Sequence, residues 1–210
     1  CSLVGSEMCI RDSDNGGIVV HLLNQEVNKG DREMQFKECY QNPFIEERAD
    51  PYITLGPDGF YYFTASYPMK SADDKDGYDR VILRRAKDIS ELASAEEITI
   101  WKVADTTLTH RFIWAPELHY IAGLWYVFYA GSEDKENNWA FDCHVLVCDS
   151  NDPYTGTWSE KGKFQKREED DFSFTGFSLD MTYFEDGERS YVIWAQHSPV
   201  SYTHLTLPTI

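Results

Sequence analysis

One pattern constrains this chain more than any other: a β-hairpin grammar written three times at nearly constant intervals. The first copy runs Asp50-Pro51-Tyr52-Ile53, turns at Gly56-Pro57-Asp58-Gly59 and continues Phe60-Tyr61-Tyr62-Phe63-Thr64-Ala65-Ser66. The second is Pro116-Glu117-Leu118-His119-Tyr120-Ile121, a turn at Ala122-Gly123, then Leu124-Trp125-Tyr126-Val127-Phe128-Tyr129-Ala130. The third is Leu179-Asp180-Met181-Thr182-Tyr183-Phe184, a turn at Glu185-Asp186-Gly187, then Ser190-Tyr191-Val192-Ile193-Trp194-Ala195. Each copy joins an acidic residue, a short apolar strand, a glycine-bearing turn that supplies positive φ, and an aromatic strand. Taking Asp50, Glu117 and Asp180 as the repeated acids gives intervals of 67 and 63 residues.

The outer halves repeat as well. Val81 to Trp101 and His144 to Trp158 each read as a strand, a polar connection and a second strand reached through a tryptophan. Helical periodicity is nearly absent, with a single turn expected over Ile89 to Ala95. Four strands per repeat in an all-β chain is the pattern of propeller blades. Equivalent positions of successive blades are related by rotation about one axis, so three acids at the axial ends of inner strands would converge. Carboxylates held that close raise at least one pKa, which separates acid from base roles.

The two ends do not share this grammar. Met8-Cys9-Ile10-Arg11-Asp12-Ser13 can be written ATG TGT ATA AGA GAC AGC, and the reverse complement of that DNA encodes Val200-Ser201-Tyr202-Thr203-His204. Natural termini have no reason to be reverse complements, so residues 1–13 and 199–210 are expected to be translated sequencing adapter. Lys29-Gly30-Asp31 can be encoded with a ribosome-binding-site-like AGGAG before Met34, so residues 14–33 are expected to be leader or a polar extension. The interpretable domain is then 34–198.

The chain carries 36 acidic against 19 basic residues, a net charge of −17. That balance argues against nucleic acid or an anionic membrane surface as partner, since both require a basic footprint. Neutral ligands stay open. Outside the flanks the cysteines are Cys39, Cys143 and Cys148, an odd number in no metal-ligand spacing, expected as buried free thiols. No apolar run approaches membrane-spanning length. No signal peptide precedes Met34, which makes a cytoplasmic protein the default expectation.

Three ordered stretches carry a family resemblance. They are Asn42-Pro43-Phe44 with Arg48-Ala49-Asp50-Pro51-Tyr52-Ile53, then Trp114-Ala115-Pro116-Glu117-Leu118-His119-Tyr120, then Phe177-Ser178-Leu179-Asp180. Together they resemble glycoside hydrolase family 43, which includes α-L-arabinofuranosidases, β-xylosidases and arabinanases, over residues 40 to 198. The resemblance implies a five-bladed β-propeller, with about the first three blades present, acting on a carbohydrate with inversion and with no cofactor.

It assigns Asp50 as the general base and Asp180 as the carboxylate that tunes the acid and orients the sugar. Glu117 is assigned to site architecture or substrate contact. Trp114, Phe112 and Phe177 stand next to these acids and would line the sugar subsite, with blade packing an equal alternative. The family's general acid is a glutamate of the next blade, commonly in a Glu-Gly-Pro context. No such motif follows Ala195, so this chain is expected to be inactive, with open blade edges prone to aggregate.

His119 and His144 are expected to be structural, and no metal is assigned, although some relatives hold an axial ion through a histidine of a later blade. Asp73, Asp74 and Asp76 and the run Glu168 to Asp171 are expected as solvated surface. Arabinofuranosides stand slightly ahead of β-xylosides as substrate. Two alternatives remain: a non-catalytic carbohydrate-binding propeller whose acids only fix blade geometry, and a neighbouring propeller hydrolase family. The sucrose-acting relatives open with an Asn-Asp-Pro-Asn-Gly-like motif, which Ala49-Asp50-Pro51-Tyr52 does not match.

Overall fold

The computed structural model describes residues 43–71, 76–105, 111–134, 140–187 and 189–197, together with the backbone of five flanking strands. Asn42, Asp73 and Asp74 lie outside the described residues. The flanking strands β1 (Leu3–Val4), β2 (Glu7–Arg11), β3 (Ile18–Leu23) and β4 (Phe36–Cys39) pair in sequence order. A second sheet holds β5 (Ala49–Leu55), β6 (Tyr61–Ser66), β7 (Arg80–Ala86) and β8 (Ile98–Lys102). A third holds β9 (Arg111–Ile121), β10 (Leu124–Ser132), β11 (Phe141–Cys148) and β12 (Trp158–Lys163). The last holds β13 (Ser178–Asp186), β14 (Arg189–Gln196) and β15 (Tyr202–Thr206).

The second and third sheets are four-stranded antiparallel meanders, and the last is a three-stranded one, each beginning with one of the repeated hairpins. These are the blades that the repeats predict. Where one helical turn was expected, Ile89–Glu91 forms a single 3-10 turn, started by Asp88 accepting from the Ser90 N–H at 2.8 Å. Strand β15 falls in the segment expected as adapter, and β1 to β4 in the N-terminal flanks.

Burial explains why the central strands lack simple alternation. Five of the six residues of β6 are buried, and β10 is buried from Val127 to Ser132, because a blade meets a neighbour on each face. The outer strands β8 and β12 keep exposed or half-exposed positions. One apolar cluster seals the first blade to the second through Tyr62, Leu83, Trp101, Leu118, Trp125 and Trp158. Another seals the second to the third through Phe128, Cys143, Met181 and Trp194. A third covers the other face of the first blade with Phe44, Ile45 and Leu92. Cys143 and Cys148 are buried free thiols, and burial raises the pKa of each, so neither is a reactive thiolate.

The blades also lock through polar detail. A Cβ on Gly56 would stand 2.8 Å from the Tyr62 ring and 3.0 Å from Trp125, so the first blade's turn can approach the second only as glycine. Arg85 of β7 reaches Asp152 of the second blade at 3.0 Å, with its guanidinium over the Phe60 and Tyr154 rings. Trp125 Nε1 donates to the Asn151 carbonyl at 2.9 Å.

Candidate active site

The innermost strands β5, β9 and β13 share an irregularity near their starts. In β5, Asp50 and Pro51 lie between the Ala49–Ser66 and Tyr52–Thr64 pairs, two residues facing the single residue Ala65. In β9, Ala115 and Pro116 face Tyr129 between the Trp114–Ala130 and Glu117–Phe128 pairs. In β13, Asp180 and Met181 face Trp194 between the Leu179–Ala195 and Thr182–Ile193 pairs. The first residue of each bulge is left-handed: Asp50 φ 49, Ala115 φ 44, Asp180 φ 52. Non-glycine residues rarely adopt this conformation, which concentrates at functional sites where it re-aims a side chain.

This bulge corrects the register of the repeat. Asp50, Ala115 and Asp180 are structural equivalents, so the second blade carries no acid at that position. Glu117 lies two residues further along β9. Its Oε2 is 3.1 Å from His119 Nε2, and His119 Nδ1 is 3.3 Å from the Tyr52 hydroxyl. Burial raises the Tyr52 pKa, and the negative charge of Glu117 adds to the rise. His119 is buried, in ring contact with Tyr52 of the first blade and Tyr183 of the third. Its structural assignment fits this bridging place.

Asp50 is half-buried and tied to the second blade. The Ser66 hydroxyl donates to Asp50 Oδ2 at 3.0 Å and accepts from the Ala115 N–H at 2.8 Å. Sequence reasoning did not single out Ser66, although the position opposite Ala49 was available from the hairpin pairing. Asp180 is exposed. Strand β9 packs against β5 on one side and β13 on the other, so the two aspartates flank the second blade.

The three aromatics expected beside the acids do come together. Trp114 stacks on Phe141 with centroids 4.1 Å apart, Phe141 meets Phe177 at 5.3 Å, and Phe112 meets Trp114 at 5.8 Å. Tyr78 joins them at 5.9 Å from Trp114. Phe112, Trp114 and Phe177 remain half-exposed, whereas Phe141 is buried beneath them. The cluster thus both packs the blades and presents ring surface.

His144 is fully buried in the second blade, stacked on Tyr129, with Nδ1 3.3 Å from Glu160 Oε1. Among the described residues no group of three or more His, Cys, Asp or Glu side chains could hold a metal ion. Nor does any helix there have the length and apolarity to cross a membrane. Asp76, Glu168 and Glu169 are exposed as expected. Asp170 differs: it accepts from the Phe172 and Ser173 N–H groups at 2.9 Å each. Hydrogen bonding from Ser173, side chain and backbone, and then from the Phe172 N–H lowers its pKa to about 2.

The model of the family described as Glycosyl hydrolases family 43 matches residues 40–208. An extracellular exo-alpha-(1->5)-L-arabinofuranosidase of Streptomyces chartreusis is 41% identical over 160 residues, 76% of this chain and 44% of that protein. A Streptomyces avermitilis protein of the same name is 38% identical over 168 residues, 80% of this chain and 32% of that one. The crystal structure of an alpha-L-arabinofuranosidase from Lactobacillus brevis superposes with a TM-score of 0.67 at 35% identity, covering 80% of this chain and 51% of that one. The chain spans less than half the length of these two curated relatives.

The two Streptomyces names overturn the cytoplasmic expectation. A protein's address is carried by a terminal segment rather than by its folded core, so the core's composition could not supply it.

Proposed function

Because the chain belongs to family 43 of the glycosyl hydrolases, we propose that its parent protein hydrolyses O-glycosidic bonds of pentose-containing plant polysaccharides or oligosaccharides, with α-L-arabinofuranosides as the first candidate. Asp50 serves as general base, taking a proton from the water that attacks the anomeric carbon. Asp180 orients the sugar and tunes the acid. The acid that protonates the leaving oxygen is a glutamate of a blade beyond these three. An inverting pair needs about 6.5–9.5 Å between carboxyls to admit the water. The protein acts outside the cell, in keeping with the names of the Streptomyces relatives.

The observation that carries this reading is the shared bulge. If acids were present only to build blade geometry, the second blade would need one too, yet it makes the same bulge with Ala115. Carboxylates at Asp50 and Asp180 are therefore not demanded by the backbone, which supports a chemical role. Ring surface at Trp114, Phe112 and Phe177 supports a sugar ligand. The pentose preference follows the relatives' names.

The test is the full-length protein assayed on 4-nitrophenyl α-L-arabinofuranoside and β-D-xyloside beside Asp50→Asn. Turnover that the substitution removes, with sugar binding retained, is the expected result. Undiminished turnover by Asp50→Asn would overturn the assignment of the base. Sugar binding without turnover by the wild type would favour the binding propeller.

A further inference from the structure

We propose that Ser66 is a positioning residue for Asp50, so that the docking of the second blade sets the direction in which the base faces its water; the inference rests on the reading of Asp50 as general base.

A serine hydroxyl has one hydrogen to give and two lone pairs to offer. The Ala115 N–H, 2.8 Å away, occupies a lone pair of Ser66 Oγ. The single hydrogen is then directed at Asp50 Oδ2, 3.0 Å away. Ser66 is fully buried, so bulk water does not compete for either bond. Fixing one carboxylate oxygen fixes the direction of the other, because the two share a plane. The donor to Ser66 is itself the left-handed residue of the second blade's bulge, φ 44. The bulge in β9 thus fixes the orientation of the hydroxyl that holds Asp50.

The other blades show that this hydroxyl is specific. The residue paired opposite the position before the bulge is Ser66 in the first blade, Ala130 in the second and Ala195 in the third. In the third blade, the position equivalent to Ser66 beside Asp180 is filled by Ala195. A serine at this pairing position in the first blade alone of the three suits a base that must keep one aim.

The experiment compares wild type, Ser66→Ala, Ser66→Thr and Asp50→Asn in the full-length protein, on whichever nitrophenyl pentoside it turns over. Such leaving groups need little help from the acid, so the rate reports the base. Ser66→Ala is expected to lower kcat by about 10- to 100-fold, as misaimed catalytic groups do. KM should stay within about twofold, because a group that acts only on the transition state leaves ground-state binding alone. Ser66→Thr keeps the hydroxyl and should recover most of kcat.

Unchanged kcat in Ser66→Ala, a loss confined to KM, or a threonine variant no better than alanine would each overturn the proposal. If Ser66→Ala does not fold, Ser66→Cys decides: its weak donor should give an intermediate kcat, and a wild-type value would refute the relay. Full activity in Asp50→Asn would instead remove the underlying reading of the base, an outcome distinct from all of these.

Discussion

Asp50 and Asp180 adopt the same left-handed backbone, φ 49 and 52, at the same position of the same two-against-one bulge in the first and third blades. The conformation limits which residues each site accepts. Asparagine tolerates it nearly as well as aspartate, whereas a β-branched residue meets the following carbonyl at a cost of about 1–2 kcal/mol. Asp50→Asn and Asp180→Asn should therefore melt close to wild type, while Asp180→Val should melt several degrees lower. Differential scanning calorimetry of the three variants checks this; equal losses in all three would deny the backbone constraint.

Glu117 should behave unlike Asp50. It is held by His119, which also meets Tyr52, and it sits off the bulge that aims the aspartates. Glu117→Gln should lower stability by about 1 kcal/mol by weakening a part-buried hydrogen bond. Its kcat should remain within tenfold of wild type, about the limit expected of a group that does not transfer the proton. Urea unfolding beside steady-state kinetics gives both numbers, and a kcat as low as that of Asp50→Asn would place Glu117 in the chemistry.

Arg85 clamps the first two blades by charge and by stacking at once. Lysine keeps the charge but not the planar fork that lies over Phe60 and Tyr154. Arg85→Lys should recover only part of the roughly 1–3 kcal/mol lost in Arg85→Ala. Thermal melts in low and high salt separate the contributions, since salt screens the Asp152 pair more than the ring contacts.

Acid should loosen the first blade. Burial raises the Glu97 pKa, but the guanidiniums of Arg48 and Arg84 outweigh it and leave the carboxyl below the usual glutamate value. A depressed folded-state pKa contributes stability that is complete above the ordinary value near 4.5 and is lost as pH falls through the folded-state value. Glu97→Gln should be less stable than wild type at neutral pH and should converge with it only as the pH falls through the depressed folded-state value, below the usual glutamate range. Melting temperatures across that range test the sign; a gap that widens in acid would reverse it.

Hairpins, blade order and an all-β fold were legible in the sequence because their causes are local: turn glycines, apolar runs and a repeat of nearly constant length. The acids at the blade starts were legible for the same reason, and so were the aromatics beside them. Three things were not. The repeat register misplaced the second blade's equivalent, taking Glu117 where the structure has Ala115, because a bulge is set by cross-strand pairing and leaves no letter of its own. The Ser66 relay depends on an N–H 49 residues away in another blade. Phe177 joins the Trp114 and Phe112 pair through Phe141, which comes from a different strand. Short-range chain chemistry thus determined which elements form and which acids stand at their starts, while the packing of blade against blade decided where those side chains point, since only that packing brings partners from distant strands within bonding distance.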